Sequence, residues 1–289
     1  MLLSCIRPPV LTMNVTNFKT TFPFVFVDNK IFIETKWGEE RKSQLLLFDT
    51  HAPSSSSEEI LKRMPQVRQL NAVSYNTRTA EGKRMMGNLY VADSIHIGDV
   101  CFSNIVLYSV PLNPNPAYHP LSIAGVMGDN LISKGVWKIN FSDSTMEFAS
   151  SIDSISDLEH SIKIPAENRE GILSINSTMP DGTVQKMAID FGYNKAVLIP
   201  IEAFRNVNHR GMGTVKTALY STPSGNISTN NYEISDSIKL NGFAFETMIR
   251  SNDFFRYRIV GIEFFKSFEY IVLDYKSSTL YLSANRLTH

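Results

Sequence analysis

The chain has 289 residues, of which 43% are hydrophobic, and its 28 lysine and arginine residues balance 28 aspartate and glutamate residues. Such a composition is typical of a soluble folded protein with one large domain or two smaller ones, and it excludes a disordered chain. The charge shows no basic excess or stripe, so we expect no nucleic-acid partner. No apolar run approaches the roughly 20 residues of a transmembrane helix.

The N-terminus and the cysteines give two further expectations. Cys5 and Cys101 are the only cysteines, too few for a disulfide framework or for a zinc site made of cysteines. The opening letters MLLSC resemble the end of a bacterial lipoprotein signal, although a frayed N-terminus explains them as well. We expect residues 1–20 to form a flexible N-terminal segment. An extracytoplasmic location is favoured: periplasmic, secreted, or lipid-anchored with part of the signal missing.

The first half of the chain consists mainly of short β-rich runs. FPFVFVDNKIFIETKW predicts two strands joined at Asp28-Asn29, a dipeptide typical of tight hairpins. The apolar run in LLLFDTHAPSSSS ends in an acid, Asp49. Ser56, followed three residues later by Glu59, fits a capping box and predicts a helix through EEILKRM.

The second half continues this pattern. ILSINSTMPDGTVQKMAI and FEYIVLDYKSSTLYL are β-rich runs broken by Gly, Asn, Asp and Ser, which are turn residues. Pro200 suits the first turn of a short helix, PIEAFRNV. The sequence therefore predicts a mainly β protein.

The two halves of the chain resemble each other. Four short matches occur in the same order, at nearly constant offsets of 133 to 143 residues. They pair Phe48-Asp49-Thr50 with Ile189-Asp190-Phe191, DSIHIG with DSIKLN, Gly128 with Gly261, and Thr145 with Thr279. No single match carries weight, but together they predict a duplicated β domain. We expect lobes at 21–150 and 162–286, joined by a polar linker at 151–161.

An apolar strand that ends in an aspartate, as in Asp49-Thr50, is followed later by a glycine-containing apolar strand, and this order occurs twice. The pattern resembles the pepsin-like and retropepsin-like aspartic peptidases. The resemblance implies two homologous β-barrel-like lobes of the acid protease fold, with a cleft between them. The matching turns are Asp49-Thr50-His51-Ala52 and Asp190-Phe191-Gly192-Tyr193, and the glycine strands are IAGVMGDNLI and YRIVGIEFFKSF. A flap hairpin is expected from SYNTRTAEGKRMMGNLYV, with Tyr75 as the candidate flap tyrosine.

The resemblance also implies a reaction. Two carboxylates that lie close together share one proton, so that one activates a water and the other polarises the scissile carbonyl. Asp49 and Asp190 take these roles, while Thr50, His51 and Gly192 support the dyad. No metal or cofactor is implied. The expected partner is an extended peptide or protein substrate, and a monomer is expected because one chain supplies both halves.

Neither turn keeps the full family pattern. His51 stands where the family has glycine, and its imidazolium is expected to lower the pKa of the nearby carboxylates. If the backbone there has positive φ, histidine is strained. Phe191 replaces the second hydroxyl residue, so we expect Thr50 to lack its hydroxyl partner, at a cost of about 1 to 3 kcal/mol.

Two functions therefore remain open. The chain is either an aspartic endopeptidase with variant turns, or a catalytically impaired relative that binds a peptide or a protein. The presence of both acids favours the endopeptidase, and the two turn substitutions favour the binding protein.

Overall fold

The computed structural model describes residues 10–64, 66–78, 84–111, 121–207, 214–222 and 225–283. These residues form a mainly β structure with a few short helices, as the sequence predicts. The helices are α1 (Glu58–Arg63), α2 (Asp129–Ile132), α3 (Ile201–Val207) and α4 (Ile262–Phe265), with a 3-10 helix at Ile152–Ser154. In the described part of the chain, no helix has the length and apolar character needed to cross a bilayer.

The strands fall into two series along the chain. The first series is β1 (Thr12–Met13), β2 (Lys19–Val27), β3 (Lys30–Trp37), β4 (Lys42–Phe48), β5 (Ser55–Ser56), β6 (Val67–Arg78), β7 (Arg84–Ile97), β8 (Val100–Ser109), β9 (Ile123–Met127), β10 (Val136–Asn140) and β11 (Thr145–Ala149). The second series is β12 (Ser161–Arg169), β13 (Ile172–Thr178), β14 (Val184–Asp190), β15 (Val197–Leu198), β16 (Thr214–Thr222), β17 (Gly225–Leu240), β18 (Phe243–Asn252), β19 (Ile259–Gly261), β20 (Tyr270–Asp274) and β21 (Thr279–Ser283). Hydrogen bonds connect all of them into one large sheet.

The middle of this sheet combines strands from both series. Antiparallel pairs run in the order β2, β11, β10, β20, β21 and β12, with β10 and β20 at the centre. In that central pair Ile139 lies opposite Ile271, and both side chains are fully buried. Trp137 of β10 stacks on Phe148 of β11, with ring centroids 4.0 Å apart. The two halves of the chain therefore share a continuous apolar core.

The β2–β3 hairpin forms where the sequence predicts it. Val27 pairs with Lys30, and the two turn residues, Asp28 and Asn29, have φ of 50° and 52°. Positive φ at both central positions is typical of the type I′ turn, which Asn and Asp tolerate best after glycine. The predicted hairpin is confirmed.

The helix after the serine run begins one residue later than the predicted capping box. The Ser57 hydroxyl, and not that of Ser56, accepts a hydrogen bond from the Ile60 N–H at 3.2 Å. Ser56 is buried, and its hydroxyl donates to the Ala124 carbonyl instead. The capping box with Glu59 was therefore wrong by one position, because Ser56 belongs to β5 and is used in tertiary packing.

Two parallel strand pairs form at corresponding places in the two series. β4 pairs in parallel with β9, and β14 pairs in parallel with β19. Each pair consists of a strand that leads into a candidate acid and a later strand that leads into a glycine. These two pairs position the site described below.

The expected segment boundaries fall near, but not on, element ends. β1 pairs with β8, and β2 begins at Lys19, both within the expected N-terminal segment 1–20. In the expected linker 151–161, Ile155 is buried, and the Asp157 carbonyl accepts a hydrogen bond from the Tyr270 hydroxyl at 2.6 Å. These residues pack on the central sheet.

Candidate active site

Asp49 directly follows β4, and its turn packs against the end of β9, which leads into Gly128. Its main-chain N–H donates to the Met127 carbonyl at 3.0 Å, and its side chain is partly buried. Gly128 follows β9, and a Cβ added there would lie 2.1 Å from the Ala52 carbonyl oxygen. Only a residue without a side chain lets this strand pass so close beneath the turn.

Asp190 is the last residue of β14, and its turn has matching support. A Cβ added at Gly261 would lie 2.3 Å from the Lys195 carbonyl oxygen. The Ile262 N–H donates to the Tyr193 carbonyl at 3.1 Å. The same relationship exists in the first turn, where the Asp129 main-chain N–H donates to the Ala52 carbonyl at 2.8 Å.

The two turns meet directly. A Cβ added at Gly192 would lie 2.2 Å from Asp49 Oδ2, so the backbone of the second turn is in contact with the carboxylate of the first. Gly192 does not have positive φ, so it is required for space and not for conformation. The negative charge of Asp190 lies close enough to act on Asp49. The structure thus brings both predicted acids to one place.

Thr50 links the two turns through the backbone. Its buried hydroxyl donates to the Ile189 carbonyl at 2.7 Å and accepts from the Phe191 N–H at 3.0 Å. The expectation that Thr50 loses a hydrogen bond because Phe191 has no hydroxyl was therefore wrong. Its partners are main-chain groups, which do not depend on the side chain opposite.

Phe191 packs in the apolar core and does not form the side-chain hydrogen bond of a hydroxyl residue. Its ring is fully buried, 6.0 Å from that of Phe48 and 5.4 Å from that of Phe265, measured between ring centroids. Phe48 precedes the first acid and Phe191 follows the second, so this aromatic contact joins the two turns below the carboxylates.

His51 contacts both acids. Its main-chain N–H donates to Asp49 Oδ1 at 2.9 Å, and its ring Nδ1 lies 3.3 Å from Asp190 Oδ2. The ring also meets Tyr257 edge to face, with centroids 6.0 Å apart. His51 has no positive φ, so the strain that we considered for a side chain at this position does not arise.

The electrostatic surroundings shift the pKa of both Asp49 and His51. Burial, and next the negative charge of Asp190, raise the pKa of Asp49 to about 6. The His51 N–H and the charges of Lys30 and His51 oppose this rise. The predicted lowering by His51 therefore exists but does not dominate. The hydrogen bond with Asp190 raises the pKa of His51, although burial opposes it.

Sequence reasoning missed two groups close to the acids. Lys30 is 9% exposed, and its charge acts on both Asp49 and Asp190. Tyr275 is 3% exposed, and its hydroxyl has no hydrogen-bond partner among the described residues. Burial, and then the charges of Asp129 and Asp49, raise the pKa of this hydroxyl. Neither residue belongs to a motif, because tertiary packing alone brings them to the turns.

The candidate flap is described only in part. β6 and β7 pair as an antiparallel hairpin in which the backbone of Tyr75 lies opposite Gly87. The tip at residues 79–83 and the side chain of Tyr75 lie outside the described part of the chain. Within that part, no three His, Cys, Asp or Glu side chains form a group that could hold a metal ion.

Comparisons with known proteins add no family to this description. No model of a known protein family matches the sequence, and a search among curated proteins finds no match.

Proposed function

We propose that the chain is an aspartic endopeptidase that hydrolyses peptide bonds with a water activated by Asp49 and Asp190. The observation that carries this proposal is the contact between the two acid turns, in which Gly192 lies against the Asp49 carboxylate. Two acids come from strand ends far apart in sequence, and the charge of one helps to raise the pKa of the other to about 6, which supports proton sharing between them.

The proposal includes the two-lobed acid protease scaffold. It is supported by the paired relationships around each acid: a parallel strand pair, and a glycine (Gly128 or Gly261) in close contact with the acid turn. The central sheet, with three strands from each half, is consistent with a duplication. In this proposal the lobes are residues 21–150 and 162–286.

The surroundings of the acids favour one division of roles. Asp49, whose pKa is about 6, holds the shared proton in mild acid and polarises the scissile carbonyl. Asp190, in contact with the His51 ring, acts as the general base on the water. The Thr50 hydrogen bonds hold the turns at a fixed separation, so that the proton can pass between the carboxylates.

The substrate in this proposal is an extended peptide. A peptide bound as an additional strand satisfies its main-chain groups at a sheet edge and presents alternate side chains to pockets. The β6–β7 hairpin is the candidate flap that covers it. No metal or cofactor takes part in the steps assigned to these residues.

Cleavage of a denatured protein between roughly pH 3 and pH 7 tests this function. Asp49→Asn and Asp190→Asn are expected to reduce the rate by about a hundredfold to ten-thousandfold, since each removes one acid–base partner. Asp93→Asn is the matched control, because Asp93 is exposed on β7. If the unmutated chain cleaves nothing in this range, or if Asp49→Asn cleaves at the same rate, the enzyme proposal is wrong.

One observation favours a second candidate function, peptide binding without cleavage. The His51 ring contacts Asp190 Oδ2, one of the oxygens that proton sharing would use. If this contact persists when a peptide is bound, the general base is occupied. Peptide binding by an unmutated chain that shows no cleavage would support this second function.

A further inference from the structure

The β2–β3 hairpin places a basic residue, Lys30, beside the acid turns. Its tip docks on the loop after Asp190: the Asn29 side chain donates to the Asn194 carbonyl at 3.1 Å, and the Lys266 ammonium donates to Asn29 Oδ1 at 2.9 Å. Lys30 is the first residue of β3, directly after this tip. The docking therefore fixes the backbone of Lys30 beside the site.

The ammonium of Lys30 has no partner of its own among the residues that the structure describes. The residue is 9% exposed, yet no described residue forms a hydrogen bond or a close ion pair with its Nζ atom. Asp49, Asp190 and Asp28 act on it through charge at longer range. Burial lowers the pKa of Lys30 because it disfavours the charged form, and an anionic ligand in contact with the ammonium opposes this effect.

The charges around the acids favour an anion in mild acid. Below about pH 6 Asp49 is mostly protonated, so that Lys30 and a protonated His51 face the charge of Asp190, and the charge of Asp129 also acts on His51. Asp28 lies at the exposed hairpin tip, where water screens its charge. The negative charge of the site is thus reduced in the pH range in which a shared-proton pair would work.

We propose that the Lys30 ammonium binds a carboxylate of the bound peptide, so that the site selects peptides with an acidic group. This inference rests on the proposed function only in so far as the acid turns bind a peptide. The carboxylate comes from an Asp or Glu side chain or from a free C-terminus, which share the same chemistry. A charge-assisted hydrogen bond of this kind is stronger than one between neutral groups.

Peptide binding to the full chain carrying Asp49→Asn tests the proposal without interference from turnover. The probes are fluorescent decapeptides of neutral residues, blocked at both ends, in which one Glu replaces Gln at each position in turn. One further peptide has a free C-terminal carboxylate. Fluorescence anisotropy at about pH 5 measures the affinities, because a low pH favours the charged form of Lys30, whose pKa burial lowers.

We expect at least one Glu peptide, or the peptide with the free C-terminus, to bind about tenfold more tightly than its neutral match. Lys30→Met, which keeps the length and burial of the side chain, is expected to bring this ratio close to one. Lys30→Arg is expected to keep the preference. Lys36→Met is the matched control, because Lys36 lies exposed on the same strand and should leave the preference unchanged.

The outcomes separate this inference from the proposed function. Equal affinity for acidic and neutral peptides, or a preference that survives Lys30→Met, overturns the role of Lys30 whether or not the unmutated chain cleaves. A preference that depends on Lys30, in a chain that cleaves nothing, supports Lys30 and contradicts the endopeptidase. Failure of every peptide to bind contradicts both.

Discussion

The imidazole of His51 lies 3.3 Å from Asp190, which belongs to the opposite turn, measured from Nδ1 to Oδ2. The same residue donates its main-chain N–H to Asp49. His51 therefore connects the two acids, and the proposed dyad includes a third titrating group.

Replacement of His51 by glutamine should move the upper pH limit of cleavage. The positive charge of His51 lowers the pKa of Asp49, so its loss raises that pKa and extends the protonated range of Asp49 to higher pH. The main-chain hydrogen bond to Asp49 remains in this variant. A pH–rate profile measures the effect.

His96→Gln is the control for this profile, since His96 lies on β7, opposite Lys36 of β3 and Cys101 of β8. If His51→Gln and His96→Gln both leave the alkaline limit of the profile in place, then His51 does not act on Asp49.

The Thr50 hydroxyl should contribute strongly to stability. Thr50→Val keeps the shape but leaves the Ile189 carbonyl and the Phe191 N–H without their partner in a buried place, which should lower the free energy of unfolding by about 2 to 4 kcal/mol. Thr50→Ser keeps both hydrogen bonds and should cost less than about 1 kcal/mol. Urea unfolding followed by tryptophan fluorescence measures both. A similar loss for the two variants would show that the hydroxyl is not the stabilising group.

Gly192 should not tolerate a side chain. In Gly192→Ala the new Cβ would lie 2.2 Å from Asp49 Oδ2, so the Asp49 carboxylate or one of the two turns must move. We expect lower stability and reduced cleavage. The control is Gly182→Ala, where the Cβ meets nothing within 4 Å and only the φ of +82° is unfavourable. A control variant that loses as much activity as Gly192→Ala would contradict the contact between the turns.

The raised pKa of Asp49 predicts a stability that falls as the pH rises. The folded state holds the Asp49 proton up to about pH 6, whereas the usual value is 3.8, so the folded state binds more protons between these values. The unfolding free energy should therefore decrease across this window, by up to about 3 kcal/mol. The raised pKa of His51 acts in the same direction, because its contribution is present below the usual value of 6.5 and is lost as the pH rises through the folded value.

Asp49→Asn provides the test of this pH dependence. The amide cannot ionise, so the variant should match the unmutated chain near pH 4 and be more stable than it above about pH 7. Thermal unfolding at both pH values gives the comparison. An Asp49→Asn variant that is less stable at both pH values would show that the surroundings do not destabilise the ionised Asp49 carboxylate.

The parts of the structure that depend on local chemistry could be predicted from the sequence. The Asp28-Asn29 turn follows from the tolerance of these residues for positive φ, and the mainly β character follows from alternating apolar residues and turn signals. The position of Asp49 after an apolar strand follows in the same way. The predicted start of α1 was wrong by one residue. Ser56 and Ser57 are equally good capping residues by sequence, and tertiary packing uses the hydroxyl of Ser56.

The parts that depend on contacts between distant residues could not be predicted. Thr50 finds its partners on the backbone of the other turn, which no residue type reveals. Lys30 reaches the acids because Asn29 docks on a loop 165 residues away. The direction of the His51 ring, and hence its contact with Asp190, also needs coordinates.

The titration of the Asp49 carboxyl carbon, followed by ¹³C NMR and assigned with Asp49→Asn, tests most directly whether two acids act as one unit. We predict a midpoint near pH 6 that falls in Asp190→Asn, since the negative charge of Asp190 is the second largest cause of the rise. A midpoint close to 3.8, or one that Asp190→Asn leaves unchanged, would contradict the account.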